Sequence, residues 1–147
     1  MLDAKKLLDL LLKNYRRPDV RRNLSVKCAD YNLALKRVAE NAERKKILSA
    51  WSLPGRYAAL VQGVAESKFY TESIDGLLEG VDFAETNRFP DLTLLETIDP
   101  TVYFDRRKDK ELDLLSPLQT FLQLANEGKS EQEAANSMIK KLLEGKF

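Results

Sequence analysis

Gly128-Lys129-Ser130 carries the closing tripeptide of a phosphate-binding loop, in which backbone amides and the lysine cradle a triphosphate. The first glycine of that motif would fall at position 123, where Gln123 stands. Such a loop also needs a strand before it, and here a helical pattern precedes it. The tripeptide reads as a turn between two helices. Asp105, Asp109, Glu111 and Asp113 form a second group. Metal or acid–base chemistry needs carboxylates that converge from separate elements of a cleft. These four alternate with Arg106, Arg107, Lys108 and Lys110, which is the pattern of an exposed hairpin edge. Arg16, Arg17, Arg21, Arg22 and Lys27 form a third group, at a junction between a helix and a strand. They could contact phosphates, each contact adding a salt-dependent increment. They could equally pair with acidic residues elsewhere in the chain. No aromatic is interleaved between Arg16 and Arg22 in the manner of a single-strand binder.

The wider composition narrows the chemistry further. The chain has 147 residues, 44% of them hydrophobic and 32% charged, with no histidine. The absence of histidine removes His-based triads, Cys–His dyads and HExxH zinc sites together. Cys28 is the only cysteine, so no internal disulfide can form, which fits a reducing compartment. Its expected place on the inward side of a strand makes it a small core residue. No apolar run approaches the ~20 residues of a membrane span, and the N-terminus does not read as a signal peptide. A soluble, cytoplasmic, non-enzymatic domain is expected, with no cofactor, no metal and no membrane partner. The net charge of +1 conceals a split. Residues 1–50 hold 13 Lys/Arg against 6 Asp/Glu, and residues 51–147 hold 11 against 17. A basic face for nucleic acid beside an acidic face for a protein would produce such a split, as would ordinary solvated helices.

The elements that must position these residues follow from periodicity. Asp3 can cap a helix bearing Leu7, Leu8, Leu11, Leu12 and Tyr15, which Pro18 ends. Asn23–Ala29 alternates as a half-buried strand. Asp30 caps a second helix with Leu35, Val38, Ala39 and Ala42 inward. Ile47–Leu53 reads as a buried strand, with extension of the helix from Arg44 as the alternative. Arg56–Ala65 reads as helix, and Lys68–Glu72 as strand. Ser73 caps a helix across Ile74, Leu77, Leu78 and Val81. Leu92–Ile98 and Thr101–Arg106 read as two strands parted by the Asp99-Pro100 turn. Ser116-Pro117-Leu118-Gln119 and Ser130-Glu131-Gln132-Glu133 both match a capping box, with Gln119 and Glu133 reaching back. Ala134, Ala135, Met138, Ile139, Leu142 and Leu143 form the inward stripe of the last helix.

This order of elements resembles the C-terminal region of AbiEi-type antitoxin/transcriptional regulator proteins of bacterial type IV toxin–antitoxin systems. The resemblance is carried by Val102-Tyr103-Phe104-Asp105-Arg106-Arg107, then by Leu114-Leu115-Ser116-Pro117-Leu118-Gln119 and the helix through Leu124. Glu133-Ala134-Ala135 is similar to the family's final helix, and Asp3–Tyr15 looks like the helix that opens the region. The resemblance implies a degenerate nucleotidyltransferase-like core. An active nucleotidyltransferase has Gly-Ser after its first core strand and Asp-x-Asp on the next. Those places fall near Ser52-Leu53-Pro54-Gly55 and Phe69-Tyr70-Thr71-Glu72-Ser73. Gly-Ser is absent there, and Glu72 alone remains where two carboxylates must hold Mg²⁺.

The expected fold is α/β (α+β), a small mixed sheet with flanking helices and two antiparallel C-terminal helices. One domain is expected over 1–147, with a mixed core over 1–115 and a helical hairpin over 116–147. The resemblance implies a non-enzymatic antitoxin with a cognate nucleotidyltransferase toxin as partner. Family members carry an N-terminal winged helix–turn–helix that binds their promoter, and this chain starts at the helix that follows it. Either a longer protein is cut here or the chain is a naturally short member. The alternative reading is a regulatory module that binds nucleic acid through Arg16–Arg22 and Lys27, weakly and without sequence preference.

Overall fold

A computed structural model describes residues 3–52, 57, 68–109 and 112–146. Among the described residues it is a mixed α/β structure, with six helices and one seven-stranded sheet. None of the described helices is long and apolar enough to cross a membrane. The chain divides into two units. One comprises Met1–Arg17, Leu53–Ala65 and Ser116–Phe147, and the other Pro18–Ser52 and Glu66–Leu115. The 116–147 hairpin thus shares its unit with the first helix. The expected helix over Arg56–Ala65 lies outside the described residues, apart from Tyr57.

The helical unit contains α1 (Ala4–Lys13), α5 (Pro117–Ala125) and α6 (Lys129–Leu143). Asp3 caps α1 by accepting from the Lys5 amide at 3.0 Å. The core of this unit is Leu8 from α1, Phe121, Leu122 and Leu124 from α5, and Ala134, Ala135 and Met138 from α6. Burial of each large apolar side chain contributes about 1.5–3 kcal/mol, which holds helices too short to persist alone. Ile139 and Leu142 pack half-buried at the edge of this core, whereas Leu143 is exposed. Leu143 lies five positions beyond Met138, about 140° around the helix, and therefore turns away from the core.

The two expected capping boxes part company. Ser116 Oγ accepts from the Gln119 amide at 3.0 Å, with Pro117 at the first helical position. Ser130 does not cap α6, because the helix starts earlier. Gly128 is the N-cap, its carbonyl accepts from the Gln132 amide at 2.9 Å, and no side-chain cap is present. Glu131, and not Glu133, then occupies the third helical position and approaches Gly128. Ser116→Ala should lower stability by about 0.5–2 kcal/mol, and Ser130→Ala should change it by less than about 0.5 kcal/mol. Paired urea melts of the two variants check this difference.

The mixed unit contains β1 (Arg22–Cys28), α2 (Tyr31–Arg44), β2 (Ser49–Ser52), β3 (Lys68–Thr71) and α3 (Ile74–Leu78). It continues through β4 (Phe83–Glu85), β5 (Leu92–Glu96), α4 (Pro100–Tyr103), β6 (Arg107–Asp109) and β7 (Leu112–Leu114). The sheet order is β4-β1-β5-β3-β2-β7-β6. The β3–β5 and β2–β7 pairs are parallel, and the other pairs are antiparallel. Trp51, Phe69 and Leu94 share one face by register, and Trp51 stacks on Phe69 at 4.9 Å. On the opposite face Ala50 and Tyr70 pack with Val102, Tyr103 and Leu115.

Thr101–Arg106 is not a strand. Asp99 accepts from the Thr101 amide and hydroxyl, and Pro100 takes the first helical position, so the dipeptide starts α4. The helix buries Val102 and Tyr103, and the Tyr103 hydroxyl donates to the Thr97 carbonyl. The α3 helix stops at Leu78, because Gly80 adopts a left-handed φ of 76° that redirects the chain before Val81. On α2 the buried stripe is Ala34, Val38, Ala39 and Asn41, with Leu35 and Ala42 half-buried. Asn41 is the unexpected member. Its side-chain amide donates to the carbonyls of Leu77 and Glu79, both at 2.8 Å, and so joins α2 to α3.

Candidate functional site

The basic junction is divided between the two units. Arg16 and Arg17 belong to the helical unit, and Arg21, Arg22 and Lys27 to the mixed unit. Two of the five face carboxylates from the acidic part of the chain. Arg22 binds Asp75 at 2.9 Å, and this hydrogen bond and charge raise the guanidinium pKa above its ordinary value. Arg21 lies 3.9 Å from Glu96 and donates to the Glu72 carbonyl at 3.3 Å. Lys27 is exposed on β1 opposite Ala84. Both arginines are open to solvent, so salt screens these pairs. They nonetheless draw Arg21 and Arg22 toward internal partners.

The places where the resemblance locates nucleotidyltransferase chemistry lie on β2 and at the end of β3. Ser52 closes β2 as a buried residue, and Leu53-Pro54-Gly55 lies outside the described residues. Glu72 follows β3 directly. Its carboxylate accepts from the Leu48 amide at 3.0 Å, and its own amide donates to the Leu48 carbonyl at 3.1 Å. Thr71 Oγ1 donates to the same carbonyl at 3.0 Å. Glu72 therefore braces the entry to β2 against the exit from β3. Glu96 behaves alike, accepting from the Ile74 amide at 3.1 Å and so holding the start of α3. Burial pushes the Tyr103 phenol pKa up, and the negative charge of Glu72 adds to the shift. Among the described residues no three His, Cys, Asp or Glu side chains gather as a metal ion would require.

Of the carboxylates after α4, Asp109 and Asp113 fall on the paired β6 and β7 strands, as the alternation with lysine and arginine predicts, and Asp105 precedes β6. Asp105 binds Arg107 at 3.0 Å, while Asp113 takes Arg106 at 3.3 Å and Lys108 at 3.4 Å. Arg106 also donates to the carbonyls of Ser49 and Tyr103, both at 3.1 Å, which anchors the hairpin beside β2. Glu111 lies outside the described residues. Between this hairpin and the C-terminal end of α2 is a cleft of about 330 Å³. Lys46, Arg106 and Lys108 line it along with Glu43, Asp113 and an apolar wall that includes Leu112. Its size matches small-molecule sites, but the cationic heads of Arg106 and Lys108 are already occupied by Asp113. Lys46 adopts a φ of 53° because it ends α2 in a Schellman turn. The Ile47 amide there donates to the Ala42 carbonyl and the Lys46 amide to that of Glu43.

Two further motifs fall to structural roles. Gly128-Lys129-Ser130 is the N-cap and first two residues of α6, and the element before it is the helix α5, so no strand feeds it. Cys28 is half-buried at the end of β1, its amide donating to the Asp91 carboxylate at 2.8 Å. Burial raises the thiol pKa and Asp91 adds to the effect, which disfavours the nucleophilic thiolate. Sequence reasoning missed Asn41 and the bracing role of Glu72 and Glu96. Nothing local marks these residues, because each partner lies at least 22 residues away. Comparison with protein families, curated proteins and solved structures found nothing that matches this chain.

Proposed function

We propose that the chain is a non-enzymatic antitoxin or regulator domain that acts in the cytoplasm and antagonises a cognate nucleotidyltransferase toxin. The antitoxin identity rests on the resemblance running from Val102 to Leu124. The non-enzymatic part rests on one observation, the commitment of Glu72. The sole carboxylate where paired metal ligands are needed receives the Leu48 amide and supports the sheet. A nucleic-acid module built on Arg16–Arg22 and Lys27 is the weaker reading, since Arg21 and Arg22 face Glu96 and Asp75.

The purified chain, incubated with labelled nucleoside triphosphates, Mg²⁺ and RNA acceptors, should transfer no label. Transfer by the chain that disappears in a folded Glu72→Gln variant would overturn the non-enzymatic reading.

A further inference from the structure

We propose that the outer edge of β4 is a docking site for an extended, basic segment of another protein, which joins the sheet as an added strand. The hydrogen-bond phase of the β1–β4 ladder carries the first part of the case. The Thr86 amide donates to the Ser25 carbonyl and the Ala29 amide to that of Asp82, with Lys27 and Ala84 in register between them. In an antiparallel pair such positions exchange both bonds, and the alternate residues turn their backbone groups away. Phe83 and Glu85 are those alternate residues. Their amides and carbonyls point outward, and no described residue bonds to them.

The two edges of the sheet are treated differently. The opposite edge, β6, carries Arg107 and Lys108, held by Asp105 and Asp113, and charge of this kind discourages strand addition. The β4 edge carries no lysine or arginine. Phe83 is 37% exposed, Ala84 is exposed, and Phe89 is 87% exposed in the loop that leaves the strand. Phe89 also holds a left-handed φ of 47°, a conformation that a bulky residue adopts rarely.

Charge identifies the occupant. Residues 72–99 contain eight carboxylates against the single cation Arg88. Six of them, Glu72, Asp75, Glu79, Asp91, Glu96 and Asp99, bind an amide or a cation of the mixed unit. The side chains of Asp82 and Glu85 make no hydrogen bond or ion pair with any described residue, and Asp82 precedes the open strand while Glu85 ends it. An occupant bearing lysine or arginine complements them. Phe83 and Glu85 project to the same face, so an antiparallel partner places a basic residue opposite Glu85. Two positions later it places an apolar residue opposite Phe83. The recognised pattern is Lys/Arg-x-apolar. A second copy of this chain fits poorly, because it would gather Asp82 and Glu85 of both copies in one short interface.

The test is NMR titration of the full chain with a short peptide centred on Lys-Thr-Val. Two controls are its Glu-Thr-Val counterpart and a Lys-Thr-Val peptide with N-methylated backbone. The Lys-Thr-Val peptide should shift and protect the Phe83 and Glu85 amides. The acidic and N-methylated peptides should bind at least about tenfold more weakly, the loss of about 1.4 kcal/mol. The folded Glu85→Lys variant should reverse the charge preference. Absence of shifts at Phe83 and Glu85, equal binding of the acidic peptide, or protection that appears from protein concentration alone would overturn the proposal.

Discussion

Replacing Phe121 with alanine should lower the unfolding free energy of the helical unit by about 3–5 kcal/mol. Phe121 is 1% exposed and lies in a core with Leu8, Leu124, Ala134, Ala135 and Met138. The small residues Ala134 and Ala135 let α6 approach α5 closely, so they cannot expand to fill the space that a lost phenyl ring leaves. A cavity therefore adds to the lost transfer free energy. Leu142→Ala, on the same helix but half-buried, should cost clearly less. Helical circular dichroism in urea resolves the difference. Equal effects of the two substitutions would show that the core is not centred on Phe121.

Asn41→Ala should lower the stability of the mixed unit by about 2–4 kcal/mol, a large effect for the loss of one amide group. Asn41 is 1% exposed and supplies both hydrogens of its side-chain amide to the Leu77 and Glu79 carbonyls. Alanine would leave the buried Leu77 carbonyl without this partner and would remove the part-buried bond to the Glu79 carbonyl. The side-chain oxygen also accepts from Arg44 at 3.2 Å, so the substitution disturbs a second contact. Trp51 reports from the sheet of the same unit, and its fluorescence in urea measures the loss. A change below about 0.5 kcal/mol, the ordinary scale of surface substitutions, would mean that α2 and α3 are not joined through this residue.

Local chemistry was legible where one residue decided the outcome. Asp3, Asp30, Ser73 and Ser116 each announce a helix start, and each accepts from an amide two or three residues on. The alternation in β1 and the short apolar run at β2 gave strands for the same reason. Ser130 misled, because its sequence matches a capping box as well as Ser116 does. Starting the helix two residues earlier, at Gly128, gains further backbone bonds that a local motif does not register. Asp99-Pro100 can open a turn or a helix, and burial of Val102 and Tyr103 selects the helix. The β4 strand was invisible for a different cause. Its three residues have no pattern of their own, and only pairing with distant β1 makes them a strand.

The candidate site was legible as residue types but not as partnerships. The sequence marks Glu72 as the one carboxylate at its place but does not reveal that Leu48 holds it. Arg21 and Arg22 stand out as a basic cluster, while the partners that engage them, Glu96 and Asp75, lie more than 50 residues away. Ion pairs between surface side chains depend on the register of β1 against β5 and on the placement of α3. Composition gives the charge, and the fold gives its destination.

We propose that this chain restrains a nucleotidyltransferase without catalysing transfer itself. The most direct measurement is growth of cells expressing a candidate cognate nucleotidyltransferase toxin, with and without the chain. Toxicity that wild-type chain relieves, and that a folded Glu72→Gln chain relieves equally, is the predicted result. Toxicity left unchanged by a folded, well-expressed chain, or relieved only when Glu72 is intact, would contradict it.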